Sequence, residues 1–592
     1  MAVYRSDQAQ LTISAEAAQG GDPELISGTL VGGASDIDTT LSAEANAGDT
    51  QITVADTEDV SVGDFIRIGG PDGAAATIGT DVTEEFEIRR IVQTSTTDGA
   101  GTFFLDRPLA FYHPSGDDVE EVTNVANTTS NEFYSYITTV PGVYESVTLP
   151  DFTPTIEPRY LLGTSANRNF TKAYSGTQSF SGSLPSFVVV DATPLRFPIG
   201  KMKTNPSAYL ASSDYTSELQ VAAKKGDVWI NLKNNTNLDV GGFLHITDET
   251  GTAPSSTSTI TSGTNPEVVK VQSTTGSGTS TFVQLSQPLR FDHAVNVNVQ
   301  EVAASPTFTH TITETFDLDT LTWNVLFRDS SETAANDLQR RYVGGIVDSA
   351  TLSASEGGML MMSYDSVPFL DMVHNQEDQA TVSTNLFNSS NAPAGMPRFA
   401  LMNKITSSDI DFPSTEPYYF SQGSFTLFGQ EFARVRNVAL SIANSVEPRY
   451  YISPRHGRHR GPSEFREGRR SYSLSCTIAL PDTVASTATT VNSANEIFKQ
   501  LLLEGNYGDG NGLKGFAITL TFTRGTNDTI TITIPDDGTA ATGLNEAGAF
   551  ILSAPYNITG DPIVQADVDI LFRNMKIEIV DSKIAQHRKV LM

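Results

Sequence analysis

Eight histidines, one cysteine and a crowd of arginines are the side chains of this 592-residue sequence whose types could support catalysis or binding. The histidines never fall at HExxH spacing, and neither a Gly-x-Ser-x-Gly elbow nor a phosphate-binding glycine loop occurs. His113 and His293 each stand without a second His or Cys at ligand spacing, so both read as structural residues rather than metal ligands. Cys476 lies on the apolar side of an alternating run, Tyr472, Leu474, Cys476, Ile478 and Leu480, against Ser471, Ser473, Ser475 and Thr477. That pattern predicts a buried, inert thiol, and a lone cysteine excludes an internal disulfide framework. Asp536-Asp537 beside Gly538 is ordinary turn chemistry. Two distant carboxylates acting on a glycoside stay open in so acidic a chain. The expectation is a protein that is no enzyme and holds no cofactor or metal.

The arginines are concentrated in one place. Arg449, Arg455, Arg458, Arg460, Arg466, Arg469 and Arg470 fall within a short stretch that also holds His456, His459, Glu464 and Glu467. Gly457, Gly461 and Pro462 mark it as a loop. As a nucleic-acid patch it lacks aromatic residues interleaved across its centre. A solvated loop is the plainer alternative.

The elements that would position these residues show themselves first through a repeat. Gly48-Asp49 answers Gly226-Asp227, and Val62-Gly63 answers Val240-Gly241, both at a shift of 178. At a shift of 180, Glu87 to Ile91 matches Glu267 to Val271, Pro108-Leu109 matches Pro288-Leu289, and His113 matches His293. A long period seen twice, with unrelated sequence between the copies, is not a solenoid; it describes one β-module inserted twice into a host. Within each copy apolar residues alternate with polar ones, as in Phe65, Ile66 and Ile68 or Phe243, Leu244 and Ile246, with Gly and Asp at the joints.

Thr, Ser, Val, Gly and Phe are abundant and helix formers scarce, so the class is mainly β, and the length suits about four domains at roughly 150 residues each. Against 69 acidic side chains stand 38 basic ones, 25 Arg and 13 Lys, for a formal charge of −31. An exposed surface of that sign repels nucleic acid and stays soluble in salt, which makes a saline host plausible. The N-terminus has no apolar signal core, and no apolar run approaches 18 residues, so neither the usual secretion signal nor a membrane span is expected.

In the host sequence, Phe308, His310 and Ile312 read as one strand and Leu321, Trp323, Val325 and Phe327 as the next. Phe516, Ile518, Leu520 and Phe522 turn through Gly525 to Asp528 into Ile530, Ile532 and Ile534 as a hairpin. Ser493 and Glu496 form a capping box before Ile497, Phe498, Leu501 and Leu502, with Gly505 at the far cap, which predicts a helix packed on a sheet. Arg341 to Ser363 runs through a strand, a Gly turn and a return strand. Glu431 to Asn444, returning through Gly468 to Asp482, echoes it.

These two echoed regions, the helix, the hairpin and the closing strand near Asp567 to Phe572 resemble, in pattern and order, the major tail tube proteins of long-tailed double-stranded DNA viruses. The resemblance covers most of 126–203 and 304–592. It implies β-sandwich or barrel tube domains, duplicated, with two small β-modules inserted. The segments are then an N-terminal arm (1–38), a first module (39–125), the tube domain's first part (126–205), a second module (206–303), that domain's continuation (304–390) and a second tube domain (391–592). Implied too are rings of three subunits, or six if one elaborated domain builds each subunit, stacked in the virion tail as a conduit for the genome. Tape-measure, tail terminator and baseplate proteins are the implied partners, double-stranded DNA passes without specific binding, and no membrane takes part. In this setting Arg455, Arg458, Arg460, Arg466, Arg469 and Arg470 gain a third reading, in which guanidinium groups pair with an acidic face of the next ring. The contrasting function class is a β-module adhesin or glycan-binding surface protein.

Overall fold

The computed structural model describes residues 4–16, 37–45, 49, 51–58, 64–69, 87–96, 98–105, 109, 113–122, 138–150, 153–159, 172–209, 216–220, 222–223, 225, 229–234, 237–250, 262–276, 281–285, 289–303, 307–329, 338–375, 398–400, 410–411, 416–427, 430–431, 435–450, 462, 464–479, 515–525, 527–536, 548–557 and 565–582. Strands dominate those residues, in keeping with the composition; the one α-helix among them is a single turn, Thr193–Arg196. The helix expected over 493–504 lies outside the described residues.

Sixteen strands carry the architecture. The first eight are β1 (Tyr4–Ala15), β2 (Thr153–Arg159), β3 (Lys172–Val188), β4 (Leu321–Asp329), β5 (Leu338–Gly345), β6 (Ser349–Ser355), β7 (Met361–Phe369) and β8 (Asp371–Asn375). The second eight are β9 (Gly423–Leu427), β10 (Val435–Ala443), β11 (Ser471–Ala479), β12 (Ile518–Arg524), β13 (Asp528–Ile534), β14 (Phe550–Ser553), β15 (Gln565–Phe572) and β16 (Lys576–Asp581). One long sheet runs β2-β3-β7-β6-β10-β11-β15-β14. Two further sheets contain β8-β5-β4-β1 and β16-β13-β12-β9.

Each strand of the first set therefore has a counterpart eight places later, in the same chain order and at the same place in its sheet. The fold is a β-sandwich built twice in tandem. The two halves join in the long sheet where β6 pairs antiparallel with β10, from Ser349 opposite Ala443 to Ser355 opposite Asn437. Alternation explains why these segments sit in two-layer packing: on β12, Ile518, Leu520 and Phe522 are buried while Thr519, Thr521 and Thr523 are less so, and β13 repeats the pattern. The turn between them needs the left-handed backbone that Gly525 adopts at φ 65°. A continuous core joins the layers, with Trp323 of β4 edge-on to Phe369 of β7 at 5.0 Å.

Residues 4–15, within the segment read as an arm, are an interior strand, with Ile13 opposite Trp323 on one side and Thr139 on the other. Strands Met202–Pro206 and Phe308–Thr313, which flank the second module, leave the first half and extend the second half's sheet, Phe308–Thr313 pairing with β16.

The repeat builds two six-stranded units of identical order, first-sixth-third-fourth-fifth-second. In the first the strands are Asp38–Thr40, Gln51–Val54, Phe65–Ile68, Glu87–Thr94, Gly101–Leu105 and Asp118–Val122. In the second they are Thr216–Glu218, Trp229–Leu232, Phe243–Thr250, Glu267–Gly276, Thr281–Leu285 and Val297–Glu301. Bridges from Leu41 to Val54 and from Leu219 to Leu232 bring the two ends of each sheet together into a small barrel. Each has its own apolar core, with Ile66 and Phe103 in one and Leu244 and Val283 in the other.

Candidate assembly surface

The long sheet has one apolar face and one polar face. Tyr472, Leu474, Cys476 and Ile478 of β11 are buried, and their alternates Ser471, Ser473 and Ser475 are exposed. Burial pushes the Cys476 thiol up to about 12, which fits the inert role expected of it. The same alternation on β6, β7, β10 and β15 puts Ser353, Ser363, Ser441, Asp567 and Asp569 on the polar side. Register aligns them in rows, Ser353 beside Ala439 beside Ser475 beside Asp569.

The carboxylates on this face are held by hydroxyls. Asp365 accepts from Thr351 at 3.0 Å and from Ser363 at 2.7 Å; Asp567 accepts from Thr477 at 2.8 Å; Asp569 accepts from Ser553 at 2.8 Å. Among the described side chains of the eight strands the sole cation is Arg436, at one end of β10 and paired with Glu356 at 2.9 Å. A depression of about 420 Å³ lies on the polar face at that end, lined by Met359, Met361, Ser475, Thr477, Asp567 and Asp569 among others.

The two ends of the long sheet differ. At the end holding Ala443 and Ser471, both halves send out a ribbon. Residues 172–179 of β3 run beyond the last partner in β7 and pair with β2 alone, a reach of about 25 Å. The equivalent strands β10 and β11 continue into Glu447–Arg449 paired with Glu464–Arg466. Among the described residues the lateral edges pair with no further strand, and they carry exposed apolar residues, Leu552 on β14 at one edge and Val143 and Ile156 along the other.

The arginine loop springs from that second ribbon. Arg455, Arg458 and Arg460 lie outside the described residues. Arg466 is exposed and donates to Glu464 at 2.9 and 3.2 Å, and Arg469 is exposed. Arg470 is turned inward: it donates to Asn444 Oδ1 at 2.8 Å, to the carbonyls of Ile199 at 3.1 Å and Thr315 at 3.3 Å, and pairs with Glu314 at 3.2 Å. Its guanidinium ties the ribbon's root to two distant loops, a role the cluster's sequence pattern does not reveal.

The repeated histidines are buried. His113 meets Asp117 four residues on at 3.0 Å. His293 sits between Glu267 at 2.8 Å and Asp248 at 3.4 Å. Arg290 donates its backbone N–H to Glu267 at 3.0 Å and its guanidinium to Thr204 at 3.4 Å, and Thr204 meets His310 at 3.0 Å. Thr204 and His310 belong to the host strands, so this network, with Phe308 against Val268, seats the second barrel on the sandwich. Asp56, Glu58 and Asp98 of the first barrel form an exposed acidic group close enough to share a cation, with no further feature marking them as ligands.

No protein family matches the sequence, and comparison with curated proteins finds no relative. Among the described residues no helix is long and apolar enough to cross a membrane.

Proposed function

We propose that this chain is the structural subunit of a viral tail tube, three copies of which close the long sheet into a ring around a bore that passes double-stranded DNA. The observation that carries the reading is the tandem order of the long sheet. Within one chain, β6 of the first half pairs with β10 of the second. Their counterparts are the two lateral edges among the described residues, β14 on one side and, on the other, the run from Val143 and Thr148 into β2 that lies along β3, so the same pairing between copies would repeat the internal joint and cover both edges. A head-to-tail contact of this kind closes into a ring when its rotation allows.

Bore size selects the copy number. Strands about 4.8 Å apart give roughly 16 strands a circumference of about 77 Å and roughly 24 strands about 115 Å, before tilt widens either. Subtracting about 5 Å of side chain on each wall leaves ~15 Å for two copies and ~27 Å for three, against a duplex of ~20 Å. Three copies are the smallest ring with clearance. The lining would be the Ser, Thr and Asp face, where the sole described cation of the eight strands, Arg436, is already paired with Glu356, so phosphate finds little positive charge to exchange for its counterions. Both barrels leave from the opposite layer, the first after β1 and the second between Met202–Pro206 and Phe308–Thr313, which extend the sheet of β16, and so would decorate the outside. An acidic, Lys-poor exterior suits a saline host. Tape-measure, terminator and baseplate proteins complete the assembly, and the place of action is the virion tail.

Electron microscopy of the purified protein tests this. Stacked rings with three copies and six similar lobes are expected. Monodisperse monomers at high concentration, or fibres without a bore, would remove the tube and favour the adhesin class; six copies per ring would break the closure argument alone.

A further inference from the structure

Phe316 is 92% exposed, the most exposed of the large apolar side chains among the described residues. Its loop, between Phe308–Thr313 and β4, is nevertheless fixed. Thr315 donates its hydroxyl to the Asp317 carbonyl at 2.7 Å, and Arg470 donates to the Thr315 carbonyl at 3.3 Å. Leu318 is buried and donates its N–H to Glu467 at 3.0 Å, and buried Asp319 lies 3.5 Å from Arg196. A phenyl ring pinned on both sides and left in water forgoes burial that any inward turn would supply. Exposed aromatics so presented are typical anchors of protein interfaces.

Arg470 and Glu467 place the loop at the end of the long sheet from which both ribbons project. That end is neither of the lateral edges, β2 and β14. We infer that Phe316 is an axial anchor, inserted into a second copy of this chain when one ring stacks on the next. The inference rests on the tube reading and adds the residue that holds rings together. The opposite end of the subunit offers an aromatic counterpart, Tyr419, 40% exposed beside the turn at Met359.

The test compares wild type with Phe316→Ser and Phe316→Trp, counting stacked and single rings by electron microscopy and following Trp emission. Because the side chain is 92% exposed, Phe316→Ser should keep the wild-type circular dichroism and Tm, still close rings, and stack on the order of tenfold less or worse. Phe316→Trp should stack, and its emission should move to the blue on stacking as the ring leaves water. Undiminished stacking by Phe316→Ser, or a Trp whose emission is the same in free subunits and tubes, overturns the anchor while leaving the tube intact. A wild type that never self-associates overturns both.

Discussion

Ser553 donates its hydroxyl to Asp569 at 2.8 Å across the pair β14 and β15, and eight strands earlier Thr351 does the same for Asp365 at 3.0 Å across β6 and β7. The duplication thus reaches past strand order to a side-chain detail, a carboxylate held by a cross-strand hydroxyl on the polar face of each half. Lysine introduced there should reverse the face's behaviour toward DNA. Ser353→Lys with Ser475→Lys points outward from strands whose cores are untouched, so each should alter stability by no more than about 0.5 kcal/mol. Assembled tubes of the double variant should retain duplex DNA, with log affinity falling against log salt by about 0.9 per phosphate engaged, where wild-type tubes retain none. Filter retention across a salt series reads this out, and equal, negligible retention by both would show that the face does not line the bore.

The two barrels should differ when removed. Replacing 39–123 by a short Gly/Ser linker changes loop closure by only about 0.6 kcal/mol per doubling of length, and rings should form with Tm near wild type. Replacing 216–302 takes away Val268 and Arg290, which uncovers Phe308 and costs Thr204 its bond from Arg290, while the Thr204–His310 pair stays but loses its cover. That variant should lose about 2–4 kcal/mol, read as a lower midpoint in denaturant, yet still assemble when cooled. Collapse of both variants into aggregate would mean that the barrels are part of the core.

Strands that alternate were legible one at a time. Ile518 to Ile534 reads as a hairpin because every second residue is buried, and the barrels stood out because their copies still share register, His113 answering His293. Their order within sheets was not legible, since pairing joins residues as far apart as Ile13 and Trp323. Tyr4 to Ala15 opens with Arg5, Ser6 and Asp7, which masks an interior strand as an arm. The duplicated sandwich shows itself in topology and in few side chains, because in sequence the halves share little beyond the alternation and the turns. Arg470 was indistinguishable from its neighbours until the carbonyls of Ile199 and Thr315 came to it from far along the chain.

For the arginine loop, geometry sharpens the expectation. With Arg470 engaged internally, the proposed contact with a neighbouring ring would rest on the other arginines of the cluster, among which Arg466 and Arg469 are exposed and Arg455, Arg458 and Arg460 lie outside the described residues. Changing Arg455, Arg458 and Arg460 to Glu should abolish stacking and spare single rings, whereas Lys at the same places should weaken stacking less, since charge stays and the fork geometry goes. Sedimentation counts of tubes against rings distinguish the variants. Normal tubes from the Glu triple would return the loop to the solvent.

His293 provides a pH test of the seat beneath the second barrel. Burial opposes its charged form, but the hydrogen bond with Glu267, followed by the attraction of Glu267 and Asp248, outweighs burial and holds it above its ordinary 6.5. Glu267 is likewise opposed by burial and held below its ordinary 4.5 by the same bond and by Arg290. A raised histidine contributes stability that is complete below pH about 6.5 and disappears as pH climbs through the raised value; a lowered carboxylate contributes above about 4.5 and fades as pH falls through its own. His245 and His310, each pushed down to about 3 chiefly by burial, stay neutral throughout that window and favour folding less as pH drops toward 3. The Tm gap between wild type and His293→Gln should therefore be widest between pH 4.5 and 6.5, equivalent to about 1–3 kcal/mol, and close at higher pH. A gap that is constant from pH 5 to 9, or grows as pH rises, would mean that His293 is neutral in the folded chain and that Glu267 is held by Arg290 alone.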